Sequence, residues 1–191
     1  MSRVFLLRHG ESASNAHDGD ETVDEEAGDR LTEAGIAQAR AAAEWLPALG
    51  IGRLLTSPMR RARETAEATA ERMGVEPTVL PCARELEIGE SFEDALGRVR
   101  RLKAAVEEAP ADEPWLVVTH GIFKRFFLFD SLLGERLEAP MAEGIWRIGS
   151  RNCGLSLFSR DEADDPWGNG VTGWACHYWM ERPWERPWAP P

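Results

Sequence analysis

Short apolar runs alternate along most of the chain with longer stretches in which apolar residues recur at helical spacing. The runs cover residues 4–7, 53–56, 78–80 and 115–118, and the helical stretches follow them at 32–46, 57–74, 91–109 and 122–133. Continuous apolar runs are typical of strands buried on both faces, and a 3.6-residue spacing is typical of amphipathic helices. The alternation predicts an α/β fold: a three-layer sandwich with a mostly parallel central sheet and helices on both faces.

Capping residues mark where the helices begin and end. Thr32 precedes the first helical stretch, which ends before Pro47. Ser57, followed by a proline, predicts an N-cap for the second helix, and Gly74 predicts its end. Ser91 predicts the start of the third helix.

The rest of the chain is less regular. Residues 153–158 and 174–180 predict two late strands, paired antiparallel at a sheet edge. Residues 18–29 are rich in Asp, Glu and Gly and predict an exposed loop, with gating of a nearby site as an alternative role. A Trp- and Pro-rich tail at about 181–191 predicts an extended segment. No linker divides the chain, so residues 1–191 are expected to form one domain.

Composition narrows the classes of partner. The net charge of -11 argues against nucleic acid or an anionic membrane as partner, so an anionic substrate must be attracted by a local cationic pocket. Three widely spaced cysteines without a CxxC pair predict a reducing compartment and no metal site. No apolar run approaches the length of a membrane span, so a cytoplasmic location is expected. The tryptophans near the carboxyl end predict covered apolar surface or an oligomer contact, such as that of a homodimer.

Chemistry-bearing side chains follow the predicted strands. Arg8 and His9 come directly after the first strand, and His120 follows the strand at 115–118. The carboxyl ends of parallel strands meet at one edge of an open sheet, where ligands bind. Arg60 and Arg61 open the helix after the second strand, where the helix N-terminus also favours an anion. The combination fits phosphoryl transfer, which requires a nucleophile and cationic donors around the phosphoryl oxygens.

Four ordered motifs carry a resemblance to a known family. They are Arg-His-Gly-Glu-Ser at residues 8–12 with Asn15, Leu-Thr-Glu-Ala-Gly at 31–35, Ser-Pro-Met-Arg-Arg-Ala-Arg-Glu-Thr-Ala at 57–66 and Val-Val-Thr-His-Gly at 117–121. Over residues 3–125 the chain resembles the histidine phosphatase superfamily, which includes the cofactor-dependent phosphoglycerate mutases. The resemblance implies a phosphoglycerate mutase-like fold. It also implies a metal-independent phosphomonoesterase that uses no cofactor and hydrolyses a small phosphorylated metabolite.

The resemblance also implies roles for individual residues. His9 is expected to be the nucleophile that forms a phosphohistidine, with Arg8, Arg61 and His120 holding the phosphoryl oxygens. The phosphate site is completed in this prediction by Asn15, Ser12 and Gly121. Asn15 and Ser12 fit turn-capping roles equally well, because short polar side chains readily bond to nearby backbone. Arg60 is expected to be an exposed helix residue.

The proton donor to the leaving group is predicted less specifically. Glu85 resembles the catalytic glutamate of the family and is preferred. The chain is short between Glu85 and Ser91, however, which leaves Glu87 and Glu90 as alternatives.

Two other functions fit parts of this pattern. A phosphoglycerate mutase would return the phosphoryl group to a bound intermediate, but the short stretch after Glu85 offers little to enclose one. A non-catalytic phospholigand-binding module would use the arginine pocket without turnover, but such a module needs no nucleophilic histidine. The substrate itself cannot be inferred from the sequence, because selectivity resides in loops.

Overall fold

A six-stranded mixed sheet is the centre of the computed structural model, which describes residues 2–16, 28–162 and 172–185. The strands are β1 (Ser2–Arg8), β2 (Arg53–Thr56), β3 (Thr78–Val79), β4 (Trp115–Thr119), β5 (Leu155–Glu162) and β6 (Thr172–Glu181), in the order β3-β2-β4-β1-β5-β6. Strands β1 to β4 run parallel, while β5 is antiparallel to β1 and β6 is antiparallel to β5. The predicted parallel sheet and its late antiparallel edge are confirmed.

The α-helices follow the strands as the spacing predicts. They are α1 (Ala13–Ala16), α2 (Glu33–Trp45), α3 (Arg60–Met73), α4 (Phe92–Glu108) and α5 (Gly121–Leu133). The Thr32 hydroxyl caps α2 by accepting the N–H of Gly35, and the Ser91 hydroxyl caps α4 in the same way. Helix α3 ends at Gly74, whose φ of 68° is a left-handed conformation that glycine adopts without strain. These three capping predictions are confirmed.

The predicted N-cap of α3 is wrong. The helix begins at Arg60 with Met59 as its N-cap residue, and no side chain caps it there. Ser57 instead accepts the N–H of Met59 at 3.2 Å and contacts a histidine of the neighbouring strand end. The prediction fails because the Ser57 hydroxyl has a tertiary hydrogen-bond partner, the histidine, which a local sequence pattern does not show.

Helices cover both faces of the sheet. Side chains on both sides of a central strand are therefore buried, and the apolar runs are continuous. In β1, Val4 and Leu6 pack on one side in a cluster with residues of α4 and α5. Phe5 and Leu7 pack on the other side against α2 and α3. The predicted three-layer arrangement is therefore confirmed.

Several expectations fall partly outside the described residues. Within the predicted tail, residue 181 ends β6 and Pro183–Glu185 form one turn of 3-10 helix, whereas the sequence predicts an extended segment; residues 186–191 are not described. Most of the acidic segment, residues 18–27, also lies outside the description, and only its last two residues are described. In the described part of the chain, no helix is both long and apolar enough to cross a membrane.

Candidate active site

His9 and His120 lie side by side at the carboxyl ends of adjacent strands. Strands β1 and β4 pair in register up to Arg8 and Thr119, and the N–H of His9 extends this ladder by donating to the Thr119 carbonyl at 2.9 Å. The two imidazole centroids are 5.1 Å apart, and both side chains are buried. The predicted convergence of the two histidines is what the structure shows.

The His9 ring is fixed in one tautomer. Its Nδ1 lies 2.6 Å from the carbonyl oxygen of Gly10, and a carbonyl can only accept, so Nδ1 carries the proton and Nε2 presents its lone pair. Burial, followed by the charges of Arg61 and Arg8, holds the pKa of His9 well below its ordinary value. The imidazole is therefore neutral near pH 7, which is the nucleophilic form.

Arg61 contacts the nucleophilic nitrogen directly. Its Nε donates to His9 Nε2 at 3.1 Å, and its Nη1 pairs with Asp29 Oδ1 at 2.5 Å. The second oxygen of Asp29 accepts the N–H of Arg60 at 2.7 Å, so this carboxylate bridges the first turn of α3 and the Arg61 guanidinium. The sequence places Asp29 in a solvated acidic loop and misses this contact. Its position just before Leu31 and Thr32, where the helical pattern resumes, is the one signal that separates it from the other acidic residues.

His120 is held from the strand β2 side. Its Nε2 lies 2.7 Å from Ser57 Oγ, and its Nδ1 is buried without a hydrogen-bond partner among the described residues. Burial, followed by the neighbouring His9 and the charges of Arg61 and Arg8, lowers the pKa of His120 well below its ordinary value. His120 can therefore donate one neutral N–H to a ligand oxygen without adding a full charge.

Arg8 is tied to a loop that the sequence does not single out. Its Nη1 donates to the Ser150 carbonyl at 2.8 Å, and its Nη2 donates to Asn15 Oδ1 at 3.3 Å. Asn152 also donates to Asn15 Oδ1, at 3.2 Å. Asn15 thus orients Arg8, while its own amide nitrogen has no acceptor among the residues that the structure describes. A carbonyl acceptor such as Ser150 O carries no sequence signal.

Two glycines bring the His9 loop against the start of α2. A Cβ on Gly10 would lie 2.5 Å from the Gly35 carbonyl oxygen, and one on Gly35 would lie 2.0 Å from the Glu11 carbonyl oxygen. The Gly10 N–H donates to Thr65 Oγ1 at 3.0 Å, and that hydroxyl donates to the Arg61 carbonyl at 2.7 Å. The loop carrying His9 is therefore locked to both α2 and α3.

The three candidate acids have different surroundings. Both oxygens of Glu85 lie at the start of α5: Oε1 accepts the N–H of Phe123 at 3.0 Å, and Oε2 accepts that of Ile122 at 3.1 Å. Glu90 is bound bidentately by Arg98, which lowers its pKa, and its side chain is 5% exposed. Glu87 is 66% exposed and pairs with Arg84. Glu85 is the one of the three that adjoins the histidine-bearing strand ends.

The remaining predicted site residues divide between the pocket and its support. Gly121 is the first residue of α5, and a Cβ there would meet Ser150 Oγ at 2.7 Å. Ser12 is buried, with its hydroxyl 3.0 Å from Ser14 Oγ, which fits the turn-capping alternative. Arg60 is 43% exposed and pairs with Glu64.

Within the described ranges, no group of three or more His, Cys, Asp or Glu side chains is arranged to hold a metal ion.

Comparisons with known proteins agree with this geometry. The family model of the histidine phosphatase superfamily (branch 1) matches residues 4–90 and 81–166, so the chain belongs to this superfamily. A probable phosphoglycerate mutase GpmB of Yersinia enterocolitica is 30% identical over 207 residues, covering 91% of this chain and 90% of the relative.

Solved structures share the fold. A mycobacterial glucosyl-3-phosphoglycerate phosphatase superposes with a TM-score of 0.72 at 24% identity, over 95% of this chain and 100% of that one. A phosphoserine phosphatase of Entamoeba histolytica, in complex with 3-phosphoglyceric acid, gives a TM-score of 0.73 at 17% identity, over 96% and 99% of the two chains.

Proposed function

We propose that this protein hydrolyses small phosphate monoesters through a phosphohistidine formed on His9. The observation that carries the proposal is a neutral imidazole whose Nε2 lone pair lies 3.1 Å from the Arg61 guanidinium, in a buried pocket shared with His120 and Arg8. A nucleophile surrounded by cationic and neutral donors is what phosphoryl transfer to a side chain requires.

The first half of the reaction follows from these contacts. The Arg61 Nε–H, which occupies the His9 lone pair, transfers its hydrogen bond to a phosphoryl oxygen, and His9 Nε2 then attacks phosphorus. Arg8 and His120 hold the other oxygens, as bidentate and neutral donors respectively. The ester P–O bond breaks as the N–P bond forms, and the leaving alcohol takes a proton.

Glu85 is the acid that we assign to that proton. Its Oε2 accepts one backbone bond, from Ile122, which leaves a further lone pair of this oxygen for the proton. In the second half, water attacks the phosphohistidine, the N–P bond breaks, and Glu85 takes the proton of the water. Glu87 and Glu90 are less suitable, because one faces solvent and the other is held by Arg98.

The test is turnover of p-nitrophenyl phosphate in EDTA, combined with quenching in alkaline SDS to trap a phosphoenzyme that is stable to base and labile to acid. We expect turnover and labelling in the native enzyme, and loss of both in His9→Ala. His177→Ala is the matched control, since His177 lies on β6 against Ser159 and away from the strand ends. Undiminished activity of His9→Ala would contradict the proposal. For Glu85→Gln, the loss should be larger with poor leaving groups than with p-nitrophenol, by about 10²-fold or more.

A mutase is the second candidate, and the 30% identity to a probable phosphoglycerate mutase favours it. A mutase differs in what receives the phosphoryl group from His9. Incubating 3-phosphoglycerate with 2,3-bisphosphoglycerate separates the two functions: a mutase forms 2-phosphoglycerate, while a phosphatase releases inorganic phosphate. A small phosphate ester is the partner in both cases, and the cytoplasmic location and the homodimer stay predictions.

A further inference from the structure

Arg125, in the second turn of α5, is a half-buried cation. Among the described residues its buried Nε–H has no acceptor and its guanidinium forms no ion pair. Burial lowers its pKa, while Glu85 acts in the opposite direction without touching it. Removing a guanidinium from water without an acceptor is costly, so such a group in a native structure calls for an explanation.

Two more unpaired polar atoms lie on the same face of α5. Gly121 and Arg125 are four residues apart, so they share one face, and helix side chains lean toward the N-terminus. A Cβ on Gly121 would lie 2.7 Å from Ser150 Oγ and 3.5 Å from Arg8 Nε. Both atoms are buried and, in the described part of the chain, have no hydrogen-bond partner. Unsatisfied groups of Arg8, Ser150 and Arg125 therefore line the first turns of α5.

Arg125 lies on the Glu85 side of the pocket. Glu85 accepts the N–H groups of Ile122 and Phe123, within one turn of Arg125 in the same helix. The charges of Glu85 and Arg125 also act in opposite directions on the pKa of Arg8. Arg125 therefore lies near Glu85 and Arg8 at the start of α5. In the proposed reaction this is the side from which the leaving group departs, because Glu85 protonates it.

We infer that Arg125 and Ser150 form a subsite for a carboxylate in the leaving group, so that the preferred substrates are phosphate monoesters of hydroxy acids. The inference rests on the proposed hydrolysis. The planar edge of a guanidinium, with its free Nε, binds a carboxylate bidentately, and the Ser150 hydroxyl adds a donor. A monoanion matches the single charge of Arg125. A second phosphate would bring a dianion, of which Arg125 balances only one charge.

The test compares substrates that differ only at the carboxylate. One pair is phosphoglycolate and 2-hydroxyethyl phosphate, and a longer pair is 3-phosphoglycerate and glycerol 3-phosphate. The native enzyme should prefer the acid in at least one pair. Arg125→Met should lower kcat/KM for that acid by about 10- to 100-fold, as expected for losing a charged hydrogen bond, and leave its neutral partner within about threefold. Ser150→Ala should show the same selectivity with a smaller loss.

Controls separate failure of the subsite from failure of the proposed function. Arg40→Met replaces an exposed arginine on α2 and should change neither pair. Equal losses for acid and neutral esters in Arg125→Met would make Arg125 a support for Glu85 and overturn the subsite, as would preference for propane-1,3-diol bisphosphate over both acids. If p-nitrophenyl phosphate is also not hydrolysed by the native enzyme, the proposed function itself fails. If it is hydrolysed while neither pair is discriminated, only the subsite fails.

Discussion

Thr65 and Thr69 offer a matched test of how the nucleophile is held. Both lie in α3 one turn apart and both are fully buried. The Thr65 hydroxyl accepts the Gly10 N–H at 3.0 Å and donates to the Arg61 carbonyl at 2.7 Å. The Thr69 hydroxyl has no partner among the described residues. Replacement by valine removes one oxygen in each case and keeps the shape of the side chain.

Only Thr65→Val is expected to lower the stability of the fold. Thr65→Val leaves the buried Gly10 N–H unpaired, which should lower the free energy of unfolding by about 1–3 kcal/mol. The Arg61 carbonyl keeps its helical bond, so it adds little to this loss. Thr69→Val removes an unsatisfied hydroxyl and should be neutral or stabilising by about 1 kcal/mol. With a total stability of about 5–15 kcal/mol typical of such domains, both variants should fold.

Activity should follow the same contrast. Gly10 supplies the carbonyl that fixes the tautomer of His9, so a shift of this loop in Thr65→Val misplaces Nε2. A misplacement of about 1 Å costs on the order of 100-fold in rate, and we expect kcat for p-nitrophenyl phosphate to fall about 10- to 100-fold. Thr69→Val should keep native activity. Urea unfolding and steady-state kinetics measure both effects, and equal behaviour of the two variants would refute the reasoning.

Two further substitutions test buried charges. Arg98 lowers the pKa of Glu90 from an ordinary value of 4.5, so the ion pair contributes stability above that pH and loses it as the pH falls through the lowered pKa. Glu90→Gln should cost about 3 kcal/mol at pH 7 in urea unfolding, and the gap to the native protein should narrow below pH 4.5; a gap independent of pH would contradict this. Lys124 is fully buried and, in the described ranges, has no carboxylate partner; burial lowers its pKa well below the ordinary value. Lys124→Met should therefore raise the free energy of unfolding by about 1–3 kcal/mol with activity retained, and a clear loss of stability would show that its bond to the Gly154 carbonyl outweighs desolvation.

The sequence predicts the parts of the site that depend on strand ends. Strands β1 and β4 are recognisable because both sheet faces are covered, so their apolar runs are unbroken and deliver His9 and His120 to one edge. The pair Arg60 and Arg61 is predictable because it opens a helix after a recognisable strand. The local pattern does not choose between the two arginines, and the resemblance to the family motif at residues 57–66 selects Arg61.

Other parts of the site depend on tertiary contacts that a local pattern does not encode. Ser57 has the sequence of an N-cap, yet its hydroxyl contacts His120 instead. Asp29 is one acidic residue among many, and only the folded chain brings it to Arg61. Arg8 donates to the backbone carbonyl of Ser150. Because every residue has such a carbonyl, the sequence does not mark this one as an acceptor. In the sequence Arg125 is likewise indistinguishable from a surface helix residue, and only the folded chain shows its Nε buried without an acceptor in the described part.

The close approach of Gly10 and Gly35 limits how this site can be altered. Neither backbone leaves room for a methyl group on the other, so the two segments cannot diverge independently. Transplanting the nucleophile loop into another scaffold would require moving residues 8–16 and 29–35 together, with their mutual spacing kept. Variation in substrate choice is therefore easier at the opposite rim, at Arg125 and Ser150. Ser150 holds Arg8 through its backbone carbonyl, so its side chain can change without removing that contact.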